Sequence, residues 1–316
     1  MGGARVVVLE GGYSNESLRV DARDGRFVVR RYGRLHVTRA AIAFEHAVVA
    51  HAAEQLREVV APLRDSGGRT IVTPPGGGSA AVFPYIEGVA GRRDLATACA
   101  AARVLARFHR AVRDVAPSTS SGQAFAGGMR SARFVGMFAW LRERFTRFAA
   151  DPLVARKLDW DALVAATTAA TARVAPRANA LPHVVVHGDP NPGNVVSVQA
   201  GEVSGLIDFD FTHETERVYD VGALLDEFAR ENDDGPLILG RVAPLLAAYA
   251  QEAPLAPEER ELVPEAMLRR VATLAWYVVA RHGERVPGDV GGAPRYAARA
   301  AEIVAHAGAI REAARG

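Results

Sequence analysis

The sequence predicts an α+β fold in which a small strand-rich N-terminal part precedes a larger helical part. Short apolar, β-branched runs separated by glycine-bearing turns dominate the first 86 residues, a pattern typical of antiparallel strands. From about residue 94 onward, longer segments carry apolar residues at helical spacing. At 316 residues, the chain is long enough for one two-lobed unit or for two domains.

The composition excludes several classes of protein. Hydrophobic residues make up 49% and charged residues 23%, which is typical of a globular protein. The net charge is only +2 and no run of basic residues is dense, which argues against a nucleic-acid partner. The apolar run 274–280 is too short to span a bilayer, and a single cysteine, Cys99, cannot form an internal disulfide. We therefore expect a cytoplasmic protein without a membrane partner, and the sequence favours neither a monomer nor a homodimer.

The first strands surround a glycine-bearing turn. Residues 5–9, 18–20 and 27–31 are predicted strands, and Gly11 and Gly12 lie between the first two. Glycines at a strand turn let backbone amides approach a phosphate group closely. The same residues also suit an ordinary hairpin turn, so both interpretations stay open at this point.

One helix and one further hairpin complete the N-terminal part. Thr38 is a good N-cap for a helix over residues 39–57, in which Glu45 lies beside the core-facing stripe. Glu58 is expected on the surface near the helix end. Residues 71–73 and 80–83 are predicted strands; the glycine-rich loop between them precedes no helix and is therefore a plain hairpin loop.

The rest of the chain is mostly helical. His109 has no second metal-type residue four positions away and is expected to be structural. The stretch 117–128 is rich in Ser, Gly and Ala and predicts a mobile loop. The predicted helices span residues 94–112, 134–149, 160–174, 237–250, 257–281 and 294–314.

The central stretch, residues 187–210, carries the chemistry. A β-branched run leads into a loop that holds Asp189, and Asn194 follows five residues later. The next two strands form a hairpin, which should bring Asn194 and Asp208 to roughly 5 Å at the backbone. A carboxylate and an amide oxygen at one place suit Mg²⁺, which prefers oxygen ligands. The predicted hairpin strands are residues 195–198 and 203–207.

These residues resemble the catalytic signature of the aminoglycoside phosphotransferase and choline kinase family. The resemblance rests on His187-Gly188-Asp189, on Asn194, and on Ile207-Asp208-Phe209-Asp210 at the family's spacing. It implies a two-lobed protein-kinase-like fold that phosphorylates small-molecule hydroxyls with ATP. The implied division is a nucleotide-binding lobe over 1–86, a hinge at about 83–88, and a catalytic and substrate-binding lobe over 87–316.

The resemblance also implies roles for single residues. Asp189 would orient or accept the proton of the hydroxyl, while Asn194, Asp208 and Asp210 would hold Mg²⁺. His187 and Asp220 would support the catalytic loop. Arg30, oriented by Glu45, would hold the ATP phosphates. The remaining nucleotide contacts would come from the covering loop (Gly11, Gly12, Ser14, Asn15) and the hinge (Phe83, Tyr85, Ile86).

The acceptor stays open among several classes. The resemblance allows an antibiotic-inactivating enzyme, which we favour together with a kinase of a hydroxylated metabolite, or a homoserine, choline or sugar kinase of primary metabolism. A catalytically silent nucleotide-binding protein is the alternative of another class. An acidic cluster would attract a cationic substrate or would be a solvated helix face. Its members are Asp226, Glu227, Glu231, Asp233 and Asp234.

Overall fold

The computed structural model confirms the α+β architecture and describes residues 4–9, 15–33, 38–115 and 133–316. The loop candidates Gly11, Gly12 and Ser14 lie outside the described residues, as does the predicted mobile loop 117–128. The division of the chain at residues 83–88 stays a prediction.

The N-terminal part is built on a four-stranded antiparallel sheet in the order β1-β2-β3-β4. The register pairs Arg30 of β3 with Ser17 on one side and with Ala81 on the other. The predicted strand 71–73 is wrong, because only Val72 bridges to Ala80 before two prolines, which cannot donate to a ladder. The strands are β1 (Arg5–Leu9), β2 (Glu16–Ala22), β3 (Gly25–Tyr32) and β4 (Ser79–Pro84).

Helix α1 (Arg39–Ala53) packs on this sheet and begins where the sequence predicts. The Thr38 side chain accepts a hydrogen bond from the Ala41 amide at 3.2 Å, which caps the helix. Ile42 of α1 forms a small core with Tyr32, Ile71 and Ala81. The helix therefore holds its core-facing stripe, and with it Glu45, against the sheet.

Eight helices are described in the rest of the chain. The predicted helix 257–281 is broken at Leu262, because Pro264 lies in the first turn of the second piece and lacks an amide hydrogen. Among the described helices, none combines the length and the apolar composition needed to cross a membrane. They are α2 (Leu95–Ala111), α3 (Phe134–Ala150), α4 (Trp160–Val174), α5 (Val218–Phe228), α6 (Val242–Ala250), α7 (Pro257–Glu261), α8 (Val263–Gly283) and α9 (Ala293–Arg315).

Two small sheets frame the central stretch. The strands β5 (Val89–Ala90), β7 (Val195–Gln199) and β8 (Glu202–Leu206) form one sheet, in that order. The strands β6 (His183–Val186) and β9 (His213–Glu216) form the other. The sequence analysis missed β5, which has two residues, and β9, whose sequence His-Glu-Thr-Glu has no apolar alternation.

The expectation that Glu58 lies on the surface is wrong. Glu58 is buried, because Arg107 of α2 reaches its carboxylate at 2.6 Å. Its backbone carbonyl also accepts a hydrogen bond from Leu206 at the end of β8. The segment after α1 therefore joins the first helix to the hairpin that carries the central stretch.

Helices α5 and α8 approach closely at Gly222. A Cβ atom at this position would lie 2.5 Å from the Met267 backbone nitrogen, which is closer than real Cβ contacts. By contrast, a Cβ atom at Gly308 in α9 would meet no heavy atom within 4 Å. The two helix glycines therefore differ in the space that a side chain would find.

This difference predicts opposite effects of one substitution. Gly222→Ala should lower the free energy of unfolding by about 1–3 kcal/mol, because the added methyl group overpacks the α5–α8 contact. Gly308→Ala should raise it by about 1 kcal/mol, the helix-propensity difference between the two residues. Urea unfolding followed by circular dichroism measures both variants, and equal midpoints would contradict the close approach.

Candidate active site

The loop after β6 presents Asp189 at the end of a strand. The Asp189 carbonyl accepts hydrogen bonds from the Asn191 amide at 2.8 Å and from Asn194 Nδ2 at 2.9 Å. A 3-10 turn over Pro192–Asn194 then leads into β7. These bonds hold the loop in one conformation, which positions the Asp189 carboxylate.

Gly188 is required by the fold of this loop. Its φ of +87° lies in the left-handed region, where glycine has no steric penalty. A Cβ atom there would lie 2.7 Å from the carbonyl carbon of Phe211. A side chain at position 188 would therefore force the loop away from the segment after Asp210.

The buried carboxylate of Asp220 holds the start of the Asp189 loop. Its carboxylate accepts hydrogen bonds from the amides of His187 at 2.7 Å and Gly188 at 2.9 Å, and it contacts Nε2 of His109 at 3.0 Å. Burial alone raises the pKa of the Asp220 carboxyl, but these bonds, His109 foremost, outweigh it and hold the pKa below its usual range. His109 is therefore structural, as predicted, and its Nδ1 lies 2.7 Å from the hydroxyl of Tyr249.

His187 ties the Asp189 loop to the Asp208 loop. Its Nε2 lies 2.9 Å from the carbonyl oxygen of Ile207, and its Nδ1 accepts from the Asp189 amide at 3.2 Å. A carbonyl on one side and an amide donor on the other suit the neutral ring with the proton on Nε2. Burial lowers the pKa of His187, which agrees with the neutral form of the ring.

The predicted hairpin forms and carries Asp208 at its open end. The Ile207 amide donates to the Asn194 carbonyl at 2.9 Å, so Asn194 and Asp208 lie at the adjoining ends of the two paired strands. Asp208 has a φ of +65°, a left-handed conformation that aspartate tolerates better than most residues. This turn directs its side chain toward the N-terminal sheet.

Arg30 joins the two parts of the site. Its guanidinium contacts the carboxylates of Asp208 at 2.5 Å, Asp210 at 2.9 Å and Glu45 at 3.5 Å. Burial alone lowers the pKa of Arg30, but the three carboxylates outweigh it and the pKa is raised well above its usual value. For Asp208, burial alone would raise the pKa, but the Arg30 guanidinium lowers it by more. The pKa of Asp208 is therefore below its usual value, and the carboxylate stays ionised. The structure thus brings Arg30 together with Glu45, as the sequence analysis expects, and with two carboxylates of the predicted metal site.

Asn15 is the one covering-loop candidate within the described residues. Its side-chain amide donates to Asp210, and its side-chain oxygen accepts from the Gly33 amide at 3.1 Å. The end of the covering loop is therefore bonded to the segment that carries Asp208 and Asp210.

The hinge residues fit their predicted role less well. The Tyr85 amide donates to the carbonyl of Arg26 at 3.0 Å, so it cannot donate to a nucleotide base while this bond exists. Phe83 pairs with Val28 in the sheet, and its ring contacts His46. Ile86 packs against Gly205 in β8. The Tyr85 amide is thus engaged within the protein, and the nucleotide contacts of Phe83, Tyr85 and Ile86 stay a prediction.

Sequence analysis missed Arg270. This arginine lies on α8, is about 5% exposed, and its Nη2 contacts the Asp189 carboxylate. Burial raises the pKa of Asp189, and Arg270 opposes that shift. The available signal was a pair of arginines, Arg269 and Arg270, within an otherwise apolar helical stretch, where a charge requires a partner.

The acidic cluster combines a buried ion-pair network with exposed carboxylates, those of Glu231, Asp233 and Asp234. Asp226 is fully buried, and Glu227 is nearly so. Four arginines each bridge two carboxylates of this region, and Glu302 joins them from α9. The bridging arginines are Arg93, Arg230, Arg295 and Arg299. Most of its negative charge is therefore balanced within the protein.

Comparisons with known sequences agree with this geometry. The model of the phosphotransferase enzyme family, APH, matches residues 5–255. Homoserine kinase of Rhodopseudomonas palustris (strain ATCC BAA-98 / CGA009) is 29% identical over 264 residues, which cover 83% of this chain and 74% of that protein. Homoserine kinase of Caulobacter sp. (strain K31) is 26% identical over 273 residues, with 84% and 77% covered.

Solved structures share the whole fold. A microcompartment-associated aminopropanol kinase has a TM-score of 0.71 at 16% identity and covers 96% of this chain and 91% of its own. An aminoglycoside phosphotransferase from Alicyclobacillus acidocaldarius has a TM-score of 0.66 at 17% identity, with 100% and 93% covered. The protein-kinase-like fold is confirmed. The chain belongs to the phosphotransferase enzyme family and is a kinase that acts on a hydroxyl group.

Proposed function

We propose that the protein transfers the γ-phosphoryl group of ATP to the hydroxyl of a small metabolite, with Mg²⁺ as the metal and homoserine as the first candidate acceptor. The observation that carries the proposal is the meeting of Asp189, Asn194 and Asp208 on one loop and hairpin, with Arg30 reaching Asp208 from the sheet. The relatives named homoserine kinase favour a metabolite over an antibiotic.

The reaction is a single displacement. The acceptor oxygen forms a bond to the γ-phosphorus while the bond from that phosphorus to the bridging oxygen of ADP breaks. The hydroxyl proton passes to Asp189 and then to solvent. Burial raises the pKa of Asp189, which makes it a better proton acceptor than an exposed carboxylate. Because phosphoryl transfer has a loose transition state, positioning and charge neutralisation supply most of the acceleration.

The residues at the hairpin fit a divalent cation. Asp208 and Asp210 converge on one positive group, the Arg30 guanidinium, and Asn194 adds an amide beside them. Within the described part of the chain, no group of three His, Cys, Asp or Glu side chains could hold a metal. Mg²⁺ would therefore bind to these few protein oxygens, and phosphate oxygens and water would complete its coordination, as is common for this ion. When bound, it would neutralise charge on the phosphates.

Arg30 would hold the phosphates that are not transferred. Glu45 and the ring of Tyr32, whose centroid is 5.3 Å from the guanidinium, orient it from the sheet side. In this role Arg30 would exchange part of its contact with Asp208 and Asp210 for phosphate oxygens. An arginine suits this exchange, because its planar fork binds carboxylate and phosphate alike.

Turnover of a panel of small hydroxylated compounds, measured as ADP release, tests the proposal. We expect ADP release with L-homoserine or another small hydroxylated metabolite, and mass spectrometry should show one added phosphoryl group on that compound. Asp189→Asn, which keeps the side-chain shape, should lower kcat by about 10²- to 10⁴-fold, the usual contribution of a general base. Asp161→Ala on the exposed start of α4 is the control. Binding of Mg·ATP without turnover of any acceptor would favour a silent nucleotide-binding protein.

A metal titration tests Asp208. Asp208→Asn should weaken binding of Mg·ATP by about 10- to 100-fold or more, the range seen even for outer-shell groups of metal sites. Binding of ATP without the metal should change far less, because Arg30 remains. Isothermal titration calorimetry at several Mg²⁺ concentrations measures both, and an unchanged Mg²⁺ dependence would remove Asp208 from the metal site.

Asp220→Asn tests the support of the loop. The new side-chain amide has an NH2 group in place of one carboxylate oxygen. This group cannot accept the hydrogen bonds from His187, Gly188 or His109, so the variant should lose on the order of 3 kcal/mol of stability. A carboxyl with a lowered folded pKa stabilises the protein above its unfolded pKa, near 4, and this contribution is lost as the pH falls below that value. The difference in unfolding free energy between the two proteins should therefore shrink below about pH 4. A difference that is constant from neutral pH to pH 3 would contradict the assignment.

A further inference from the structure

We propose that Arg270 binds a carboxylate group of the acceptor, so that the enzyme selects short hydroxy acids over neutral or cationic alcohols. The inference rests on the proposed function, because it takes Asp189 as the group that faces the acceptor hydroxyl. It adds a specificity-determining residue that the catalytic signature does not contain.

The first support is the unused capacity of the Arg270 side chain. Its Nη2 contacts Asp189, yet its Nε is buried and has no hydrogen-bond partner among the described residues. A guanidinium has five donors in a fixed planar fork, and a buried donor without a partner is costly. A carboxylate on the acceptor is the ligand that matches such a fork in charge and geometry.

The second support is the place of Arg270 beside the base. One guanidinium would contact both Asp189, which orients the hydroxyl, and the carboxylate of the acceptor. The two groups of the acceptor are therefore separated by only a few bonds. This geometry favours a small hydroxy acid such as L-homoserine over a long or multi-ring acceptor.

The third support is the charge of the neighbouring surface. The side chains of Asp226 and Glu227 are held by Arg299, and that of Asp233 by Arg93 and Arg295. These arginines offset part of the negative charge there, although Glu231, Asp233 and Asp234 are exposed, and Arg270 places a buried guanidinium next to Asp189. The cation beside the base is thus suited to an anionic group on the acceptor.

The same contact suggests how an acceptor would release the base. In the structure, the Asp189 carboxylate is engaged by Arg270. An acceptor carboxylate would give Arg270 a second anionic partner and weaken its hold on Asp189. Asp189 would then accept a hydrogen bond from the hydroxyl more readily, so that binding of the acid and activation of its hydroxyl are linked.

A matched pair of acceptors isolates the carboxylate. L-Homoserine and 3-aminopropan-1-ol share the amine, the three-carbon spacing and the primary hydroxyl, and they differ only by the carboxylate. The values of kcat/KM for both compounds should be measured with the wild-type enzyme and with Arg270→Gln. Arg270→Lys keeps the charge without the fork. Arg281→Gln is the matched control, since it makes the same change on α8, eleven positions further along.

We expect the wild-type enzyme to prefer L-homoserine. Arg270→Gln should lower kcat/KM for L-homoserine by roughly 10- to 100-fold, the equivalent of about one charged hydrogen bond. The value for 3-aminopropan-1-ol should stay the same or rise. Arg270→Lys should be intermediate, and Arg281→Gln should keep the wild-type ratio. Thermal melting and Mg·ATP binding show whether each variant is folded.

Two results would overturn the inference. An equal loss for both acceptors would mean that Arg270 acts on the phosphoryl group or on Asp189 alone. A wild-type enzyme without preference for the acid would exclude a carboxylate site. Calorimetric binding of L-homoserine, with Mg²⁺ and a non-hydrolysable ATP analogue present, separates this inference from the proposed function. Binding of L-homoserine that depends on Arg270, without turnover, would refute the proposed function and support the carboxylate site. If L-homoserine neither binds nor is phosphorylated, both the proposed function and the carboxylate site are refuted.

Discussion

The site depends on the burial of one ionised carboxylate, that of Asp220. A buried charge is costly unless donors surround it, and here the donors are the amides of His187 and Gly188 and the ring of His109. The backbone conformation that presents these amides is the one that aims Asp189 away from the core. Because Gly188 must also pass the Phe211 carbonyl, the loop has little freedom once α5 is in place.

Arginines balance the remaining buried carboxylates. Arg30 approaches the loop and hairpin from the sheet and Arg270 from α8, so the predicted metal ligands and the predicted base each face a different cation. The chain contains one lysine, Lys157, which lies elsewhere. Since a guanidinium forks between two oxygens, either arginine can hold a protein carboxylate and a ligand anion together. In the proposed function, the two cations would give the nucleotide and the acceptor separate positions.

Local signals predicted the elements that depend on local physics. The cap at Thr38 begins α1 as expected, because a capping side chain acts on amides within three residues. Asp94, predicted as the first residue of a helix, caps α2 instead. The hairpin of β7 and β8 follows from its β-branched strands and short turn. The strand β9 could not be predicted, since its polar residues become a strand only by pairing with β6, and Glu216 is stabilised there by Arg269.

The sequence by itself determined the family, the fold class and the identity of the loop residues, because the signature from His187 to Asp210 is contiguous and its spacing is local. The tertiary structure decided which charges meet. Arg270 contacts Asp189 across 81 positions, and Arg299 reaches Asp226 across 73. No local pattern reports such pairs, because the partners meet only when distant helices pack, and each buried charge then requires an opposite charge to offset its desolvation. For this reason the ion pairs of the acidic cluster were not predicted, and the arginine beside the base was not found.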